Sequence, residues 1–193
     1  MVHISNGNLR MNIPTFSLKA EQTCIGSTEL CRKYCYAKKA ERYPSAWFGR
    51  MRNTMDTLKA DFVDKTVKII KRKNPQYLRI HESGDFYSQE YLDKWFQICK
   101  KLPKTTFLCY TQSYGLNWDK KPKNLIRFWS IWADSKDIPE EGLKAFAIDN
   151  GKGKLPPTLL PEAIHLCGKG KTLKCENCLY CYKGTGNVAF KVH

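Results

Sequence analysis

Acidic residues are scarce in this chain: 18 Asp and Glu stand against 33 Lys and Arg, for a formal charge of +15. Such an excess draws polyanions through long-range fields and counterion release, so a nucleic acid or other polyanion is one expected partner. The basic residues are scattered in short groups, Lys38-Lys39, Lys71-Arg72-Lys73, Lys100-Lys101, Lys120-Lys121 and Lys169 to Lys174, with no basic tail or RNA-binding signature. A solvated basic surface accounts for them equally. No stretch approaches the roughly 20 apolar residues of a membrane span, and MVHISNGNLRMN has no apolar run resembling a signal peptide. Those absences predict a soluble protein of the cytoplasm with no membrane partner. Missing too are a phosphate-binding P-loop, a nucleophile elbow and an HExxH zinc motif, which excludes the commonest nucleotide, serine-hydrolase and zinc-protease sites. There is no internal repeat or low-complexity segment, and Gly151 to Pro157 reads as a loop rather than a linker. The 193 residues suit one domain, 1–193, large enough to need no disulfide staples.

What is present is sulfur. Seven of the nine cysteines fall into two clusters, Cys24-x6-Cys31-x3-Cys35 in a front loop (24–37) and Cys167-x7-Cys175-x2-Cys178-x2-Cys181 in a rear loop (167–182). The odd count argues against a secreted disulfide scaffold. Soft thiolates at such intervals select zinc, copper(I) or iron–sulfur centres over magnesium or calcium. The rear run suits four thiolates turning onto one [4Fe-4S] cubane; a structural zinc held by four cysteines is the alternative, although its knuckle pairs are normally separated by a longer loop. The front set has three thiols, which would leave one iron of a cubane open to a small molecule. Cys99 lies on an apolar helical stripe and Cys109 inside an apolar strand, so both are expected in the core.

Periodicity supplies the scaffold. A short first strand is expected within Asn12 to Leu18, followed by the front loop, which becomes helical. One helix is predicted from Ala46 to about Lys73, with Met51, Met55, Leu58, Phe62, Val63, Val67 and Ile70 as its apolar stripe, ending at Asn74-Pro75. Further strands are predicted at Tyr77 to His81, Thr106 to Thr111, Ile126 to Trp132, Lys144 to Ile148 and Ala163 to Leu166, with a helix after Ser88 as N-cap. Alternating strands and helices imply parallel βα units, whose ligands gather at the carboxyl edge of the sheet. About six strands fall short of eight, so the expected fold class is α/β, a truncated or open TIM-type (β/α) barrel with mostly parallel strands and a cysteine-rich C-terminal loop. His81 ends a strand and is expected at that edge, as proton donor, hydrogen-bond donor to a cluster sulfur or fourth ligand; a buried imidazole bonded to backbone is the alternative. His165 is a weaker candidate. Trp95, Trp118, Trp129 and Trp132 offer faces for base stacking, but Trp95, Trp129 and Trp132 sit where core tryptophans belong.

The loop Cys31-Arg32-Lys33-Tyr34-Cys35-Tyr36-Ala37 after a first strand resembles the cluster loop of radical S-adenosylmethionine (SAM) enzymes, although those typically space their thiols C-x3-C-x2-C. Over nearly the full length, Ile13 to Leu18, Thr23 to Gly26, Cys35-Tyr36-Ala37, Arg79 to Phe86, Tyr110 to Ser113 and the terminal cysteines resemble a bacteriophage family called gene product eighty-eight. That resemblance implies a phage or prophage origin, hence the host cytoplasm, a truncated barrel and iron–sulfur binding. The radical SAM likeness implies that Ser83-Gly84-Asp85 holds the amino group of SAM, with Glu82 or Asp85 accepting its hydrogen bonds. Ordinary turn and capping chemistry explains Asp85 and Ser88 as well. The expected site thus contains His81, Glu82 and Asp85 as catalytic groups, and Tyr36, Ser83, Gly84, Thr111 and Ser113 around the cofactor. Its metal ligands are Cys24, Cys31, Cys35, Cys167, Cys175, Cys178 and Cys181.

Three functions follow as expectations. The first is an iron–sulfur protein with one or two [4Fe-4S] clusters acting as a radical-SAM-like oxidoreductase or transferase fed by an electron donor. The second is a non-catalytic electron-transfer protein. The third is a zinc-stabilised nucleic-acid-binding protein. Spacing leaves open whether the two ends hold separate clusters or share one.

Overall fold

In a computed structural model the described residues are 2–8, 11–153, 155–157, 160–161, 164–168 and 174–192. They build β1 (Ile4–Ser5), β2 (Thr15–Phe16), α1 (Glu29–Lys33), α2 (Tyr36–Ala40), α3 (Pro44–Thr57), α4 (Phe62–Lys73), β3 (Tyr77–Ile80), α5 (Gln89–Lys101), β4 (Thr106–Thr111), β5 (Leu125–Ile131), β6 (Leu143–Ile148), β7 (His165–Leu166), α6 (Cys175–Cys178), α7 (Tyr180–Lys183) and β8 (Val188–Lys191). The strands form one sheet in the order β1-β2-β3-β4-β5-β6-β8-β7. Every described pairing is parallel except β1 with β2. The sheet is open, with β1 at one edge and β7 at the other. Among the described residues, the β4–β5 and β5–β6 crossovers carry no helix, so the repeating βα pattern stops after α5.

Strand alternation divides the sheet into two apolar faces. Leu78 and Ile80 of β3, Phe107 and Cys109 of β4, and Trp129 and Ile131 of β5 join Phe62, Val67 and Ile70 of α4 and Leu92, Trp95 and Cys99 of α5 in the main core. Fully buried side chains such as Phe16, Leu78 and Phe107 each contribute roughly 1.5–3 kcal/mol. The residues between them, Leu108, Ile126, Phe128, Ala145 and Val188, point the other way and pack against Met11, Ile13, Tyr180, Tyr182 and three rear cysteines. The rear loop is therefore the cover of the face that the long helices leave free. Cys99 and Cys109 are buried in the main core, as are Trp95, Trp118 and Trp129.

Two expectations change. The helix predicted over Ala46 to Lys73 is two helices, broken between Thr57 and Phe62. The Thr57 carbonyl accepts from Lys94 Nζ at 3.0 Å and its hydroxyl meets Tyr87 at 2.6 Å, so tertiary contacts replace the next helical turn. Of the predicted stripe, Met55 and Leu58 are exposed. α3 instead buries a polar face: Arg50 Nη1 donates to the Ala37 carbonyl at 2.9 Å, and Asn53 Nδ2 donates to the carbonyls of His3 and Ser17 at 2.8 and 2.9 Å. The second change is the strand count, because β1 and β8 join the predicted set. α4 does end where Asn74-Pro75 places its end, with Asn74 left-handed at φ 44°. Of the strand expected over Ala163 to Leu166, His165–Leu166 is observed and Ala163 lies outside the described residues.

Candidate metal centre

The front loop leaves β2, turns at Cys24 and docks on the carboxyl ends of β3 and β4. Cys24 N donates to the Glu21 carbonyl at 3.1 Å, which fixes the first turn. Thr28 caps α1, its Oγ1 accepting from Cys31 N at 3.2 Å, while Cys35 stands at the N-cap of α2. Thr28 N donates in turn to Gln112 Oε1 at 3.2 Å, just beyond β4. The three thiols lie within electrostatic reach of one another, since the Cys31 thiol feels those of both Cys24 and Cys35 and is also hydrogen-bonded to the Gln112 side chain. Burial, with the nearby Asp85 carboxylate adding to it, pushes Cys24 up to about 11. Burial likewise pushes Cys31 up to about 12. Without a cation these sulfurs stay protonated; a coordinated metal would ionise them outright.

Asp85 is the hub behind this loop. Its Oδ1 accepts from Thr111 Oγ1 at 2.6 Å and from Phe86 N at 2.7 Å, and its Oδ2 from Gln112 N at 2.8 Å. Burial still raises it to about 6 against those three donors. Thr111 Oγ1 also accepts from Ser113 N at 3.0 Å, and Ser113 Oγ donates to the Phe86 carbonyl at 2.7 Å. Asp85, Thr111 and Ser113 thus hold the strand ends together and are occupied by one another. Gly84 has φ +84°, and a Cβ there would stand 2.6 Å from both Leu18 Cβ and Thr23 Oγ1. Its close approach is to the front loop itself. The buried Ser83 hydroxyl has no hydrogen-bond partner among the described residues. Tyr36 donates to the Glu82 carbonyl, while the Glu82 carboxylate accepts from Asn8 Nδ2 at 2.8 Å.

His81 does not join this group. Its imidazole lies on the helix side of the sheet, against Phe16, Phe86 and Tyr91, with Nε2 2.8 Å from the Tyr91 hydroxyl. Burial, aided by Arg79, lowers it to about 3, so it is neutral there.

The rear loop makes a second, separate group. Cys167, Cys175, Cys178 and Cys181 line one cavity of about 90 Å³ together with Arg79, Leu108, Tyr110 and Phe190 from the face opposite the long helices. The front thiols do not line it. Cys181 is hydrogen-bonded to Tyr110 and is pushed up to about 11 by burial. His165 also borders this cavity, its ring stacked 3.9 Å from that of Tyr180. The geometry therefore sorts seven thiols into a group of three and a group of four. Among the described residues, no three His, Cys, Asp or Glu side chains are drawn in close enough to hold a single metal ion. Beside the front loop, Ser27, Thr28, Phe86, Gln112, Ser113 and Tyr114 line part of an open cleft of about 730 Å³.

Sequence reasoning missed Arg79, Tyr110 and Gln112 as site residues. Arg79 carried a signal, a lone charge in the short apolar strand Tyr77-Leu78-Arg79-Ile80. No described helix is long and apolar enough to cross a membrane.

A family model described as Gene product 88 matches residues 3–149, a span that holds the front thiols and stops before the rear ones. The Gene 88 protein of Mycobacterium phage L5 is 28% identical, the match covering 98% of this chain and 92% of that protein. The Gene 88 protein of Mycobacterium phage D29 is 27% identical with the same coverage. No solved structure matches the chain.

Proposed function

The chain belongs to the phage Gene product 88 family, and we propose that it is an iron–sulfur protein of the host cytoplasm with two [4Fe-4S] sites, one per thiol group. The observation that carries this reading is the sorting of the thiols: four line one cavity from a single loop, and the three front thiols, which act on one another electrostatically, do not line it. The donor set is all sulfur, the ligand class of cubane clusters. A zinc ion would draw four sulfurs to about 2.3 Å from one point, whereas the rear thiols are spaced around a cavity. The sequential order of the parallel strands β2 to β6 supports a truncated (β/α) barrel as the parent of the sheet. A bound cluster would supply one-electron chemistry. The protein's part is to hold it away from water between Tyr110, Phe190 and the rear loop, and to tune it by hydrogen bonds to sulfur such as that of Tyr110 to Cys181.

One observation favours a catalytic, radical-SAM-like use of the front site over electron transfer alone. Its three thiols leave a metal position free of protein sulfur, and the loop that carries them borders the open cleft through Gly26, Ser27 and Thr28. The deciding experiment is anaerobic purification with iron, sulfide and zinc analysis, followed by dithionite reduction with and without SAM. About eight irons per chain with equal sulfide would support two cubanes, and a SAM-dependent spectral change would support the catalytic use. A colourless, zinc-loaded chain whose binding to DNA falls steeply with salt would overturn the reading in favour of a zinc-stabilised nucleic-acid-binding protein.

A further inference from the structure

A partly buried cation faces the rear thiols with no carboxylate paired to it among the described residues. Arg79 lies on β3 with its side chain on the face covered by the rear loop, and it lines the cavity with Cys167, Cys175, Cys178 and Cys181. Its guanidinium carbon stands 4.7 Å from the centre of the Tyr110 ring. Nε donates to the His81 carbonyl at 3.1 Å, and Nη1 lies 3.8 Å from Met11 Sδ. Among the described residues it makes no ion pair. Glu82 acts on it only through its field, with no contact short enough for an ion pair, and its carboxylate accepts from Asn8 Nδ2.

Taking a guanidinium even partly out of water is unfavourable unless an opposite charge compensates. The other groups that face it here are tyrosine hydroxyls and the rear thiols. A cubane on four thiolates supplies the missing charge, because the thiolates outweigh the positive core, and each added electron makes the whole more negative. At the low effective dielectric of such a site a neighbouring fixed cation favours the reduced form. We propose that Arg79 is the counter-charge of an anionic cluster held by the rear thiols, a positioning residue that stabilises its reduced state and thereby sets its potential. This rests on the iron–sulfur reading of the rear site.

The test uses the full chain with Cys24, Cys31 and Cys35 replaced by alanine, reconstituted without oxygen from ferrous iron and sulfide. About four irons with equal sulfide are expected; a chain that takes up none removes the rear-site reading, and the role of Arg79 with it. In that background the reduction midpoint is measured for Arg79→Gln and Arg79→Lys by redox titration followed by electron paramagnetic resonance. Arg79→Gln should shift the equilibrium against reduction at least tenfold, about 59 mV for one electron, while Arg79→Lys stays near the parent. Loss of the cluster from a folded Arg79→Gln chain, with retention in Arg79→Lys, would also support the charge role. An unchanged midpoint in a loaded Arg79→Gln chain overturns it. If Arg79→Gln does not fold, arginine labelled with nitrogen-15 in the parent chain decides. A hyperfine coupling to the reduced cluster that disappears in Arg79→Lys is expected, and its absence from the parent overturns the assignment.

Discussion

Gly26 sits directly against the backbone of Gln112: a Cβ at position 26 would stand 2.2 Å from the Gln112 carbonyl oxygen and 2.8 Å from its carbonyl carbon. The front loop therefore docks on the end of β4 backbone to backbone, and the same residue's side chain is hydrogen-bonded to Cys31. An alanine at position 26 has no flexible side chain to push aside, so the loop must lift. Gly26→Ala should cost about 1–3 kcal/mol in urea unfolding and reduce bound iron from about eight to about four per chain. Full iron loading in the alanine variant would show that the docking does not shape the thiol group.

Because the rear four thiols line a cavity that excludes the front three, the two groups should load independently. Replacing Cys178 and Cys181 by alanine should leave about four irons, and replacing Cys24, Cys31 and Cys35 should leave the other four. If either set of substitutions abolished all iron, a single shared cluster would be the better account.

Asp85 is a buried carboxylate that accepts from Thr111 Oγ1, Phe86 N and Gln112 N. Asp85→Asn keeps the shape but turns an acceptor into a donor, leaving one of the three facing another donor. The cost should be roughly 1–3 kcal/mol, read from chemical unfolding of the metal-free chain. A loss of stability no larger than at an exposed control such as Asp93→Asn would mean that the network is not structural.

Much of the scaffold was legible because strands announce themselves by alternation. Thr106 to Thr111 has the bounds of β4, and the other central strands are shifted by a residue. β1, of two residues, is too short for any period to register, β2 falls within the strand expected over Asn12 to Leu18, and β8 follows the cysteines as four residues, Val188 to Lys191. The helical pattern over Ala46 to Lys73 misled because α3 buries Arg50 and Asn53 to satisfy loop carbonyls and leaves Phe48, Met55 and Leu58 outside. Polar docking of that kind runs against the assumption that the apolar side faces in.

The candidate site divides in the same way. Thiol spacing pointed to all seven cysteines, but only the tertiary structure separates them into two groups. Arg79 and Tyr110 gain their meaning from strand parity, once the rear loop is seen to cover one face, and Gln112 gains its own from the docking of the front loop on the end of β4. His81 shows the converse. Its place at the end of β3 suggested the ligand edge, yet with φ +65° its ring turns into the aromatic core.

That placement gives His81 a definite pH signature. Burial lowers it from 6.5 to about 3, so the unfolded chain takes up a proton between those values while the folded chain does not. The stability it contributes is fully present above pH 6.5 and is lost as pH falls toward 3, at up to about 1.4 kcal/mol per unit. Asp85 has the opposite sign: raised to about 6 by burial, it contributes stability that is present below its ordinary 3.8 and is lost as pH rises through 6. The two partly cancel in the intact protein, so the comparison must be between proteins rather than along one curve. The stability difference between the parent and His81→Gln should shrink steadily from pH 7 to pH 4, because the variant lacks the titrating imidazole. Parallel unfolding free energies across that range would mean that the ring is solvated or paired in acid, and the buried packing against Phe86 and Tyr91 would then not describe the protein in solution.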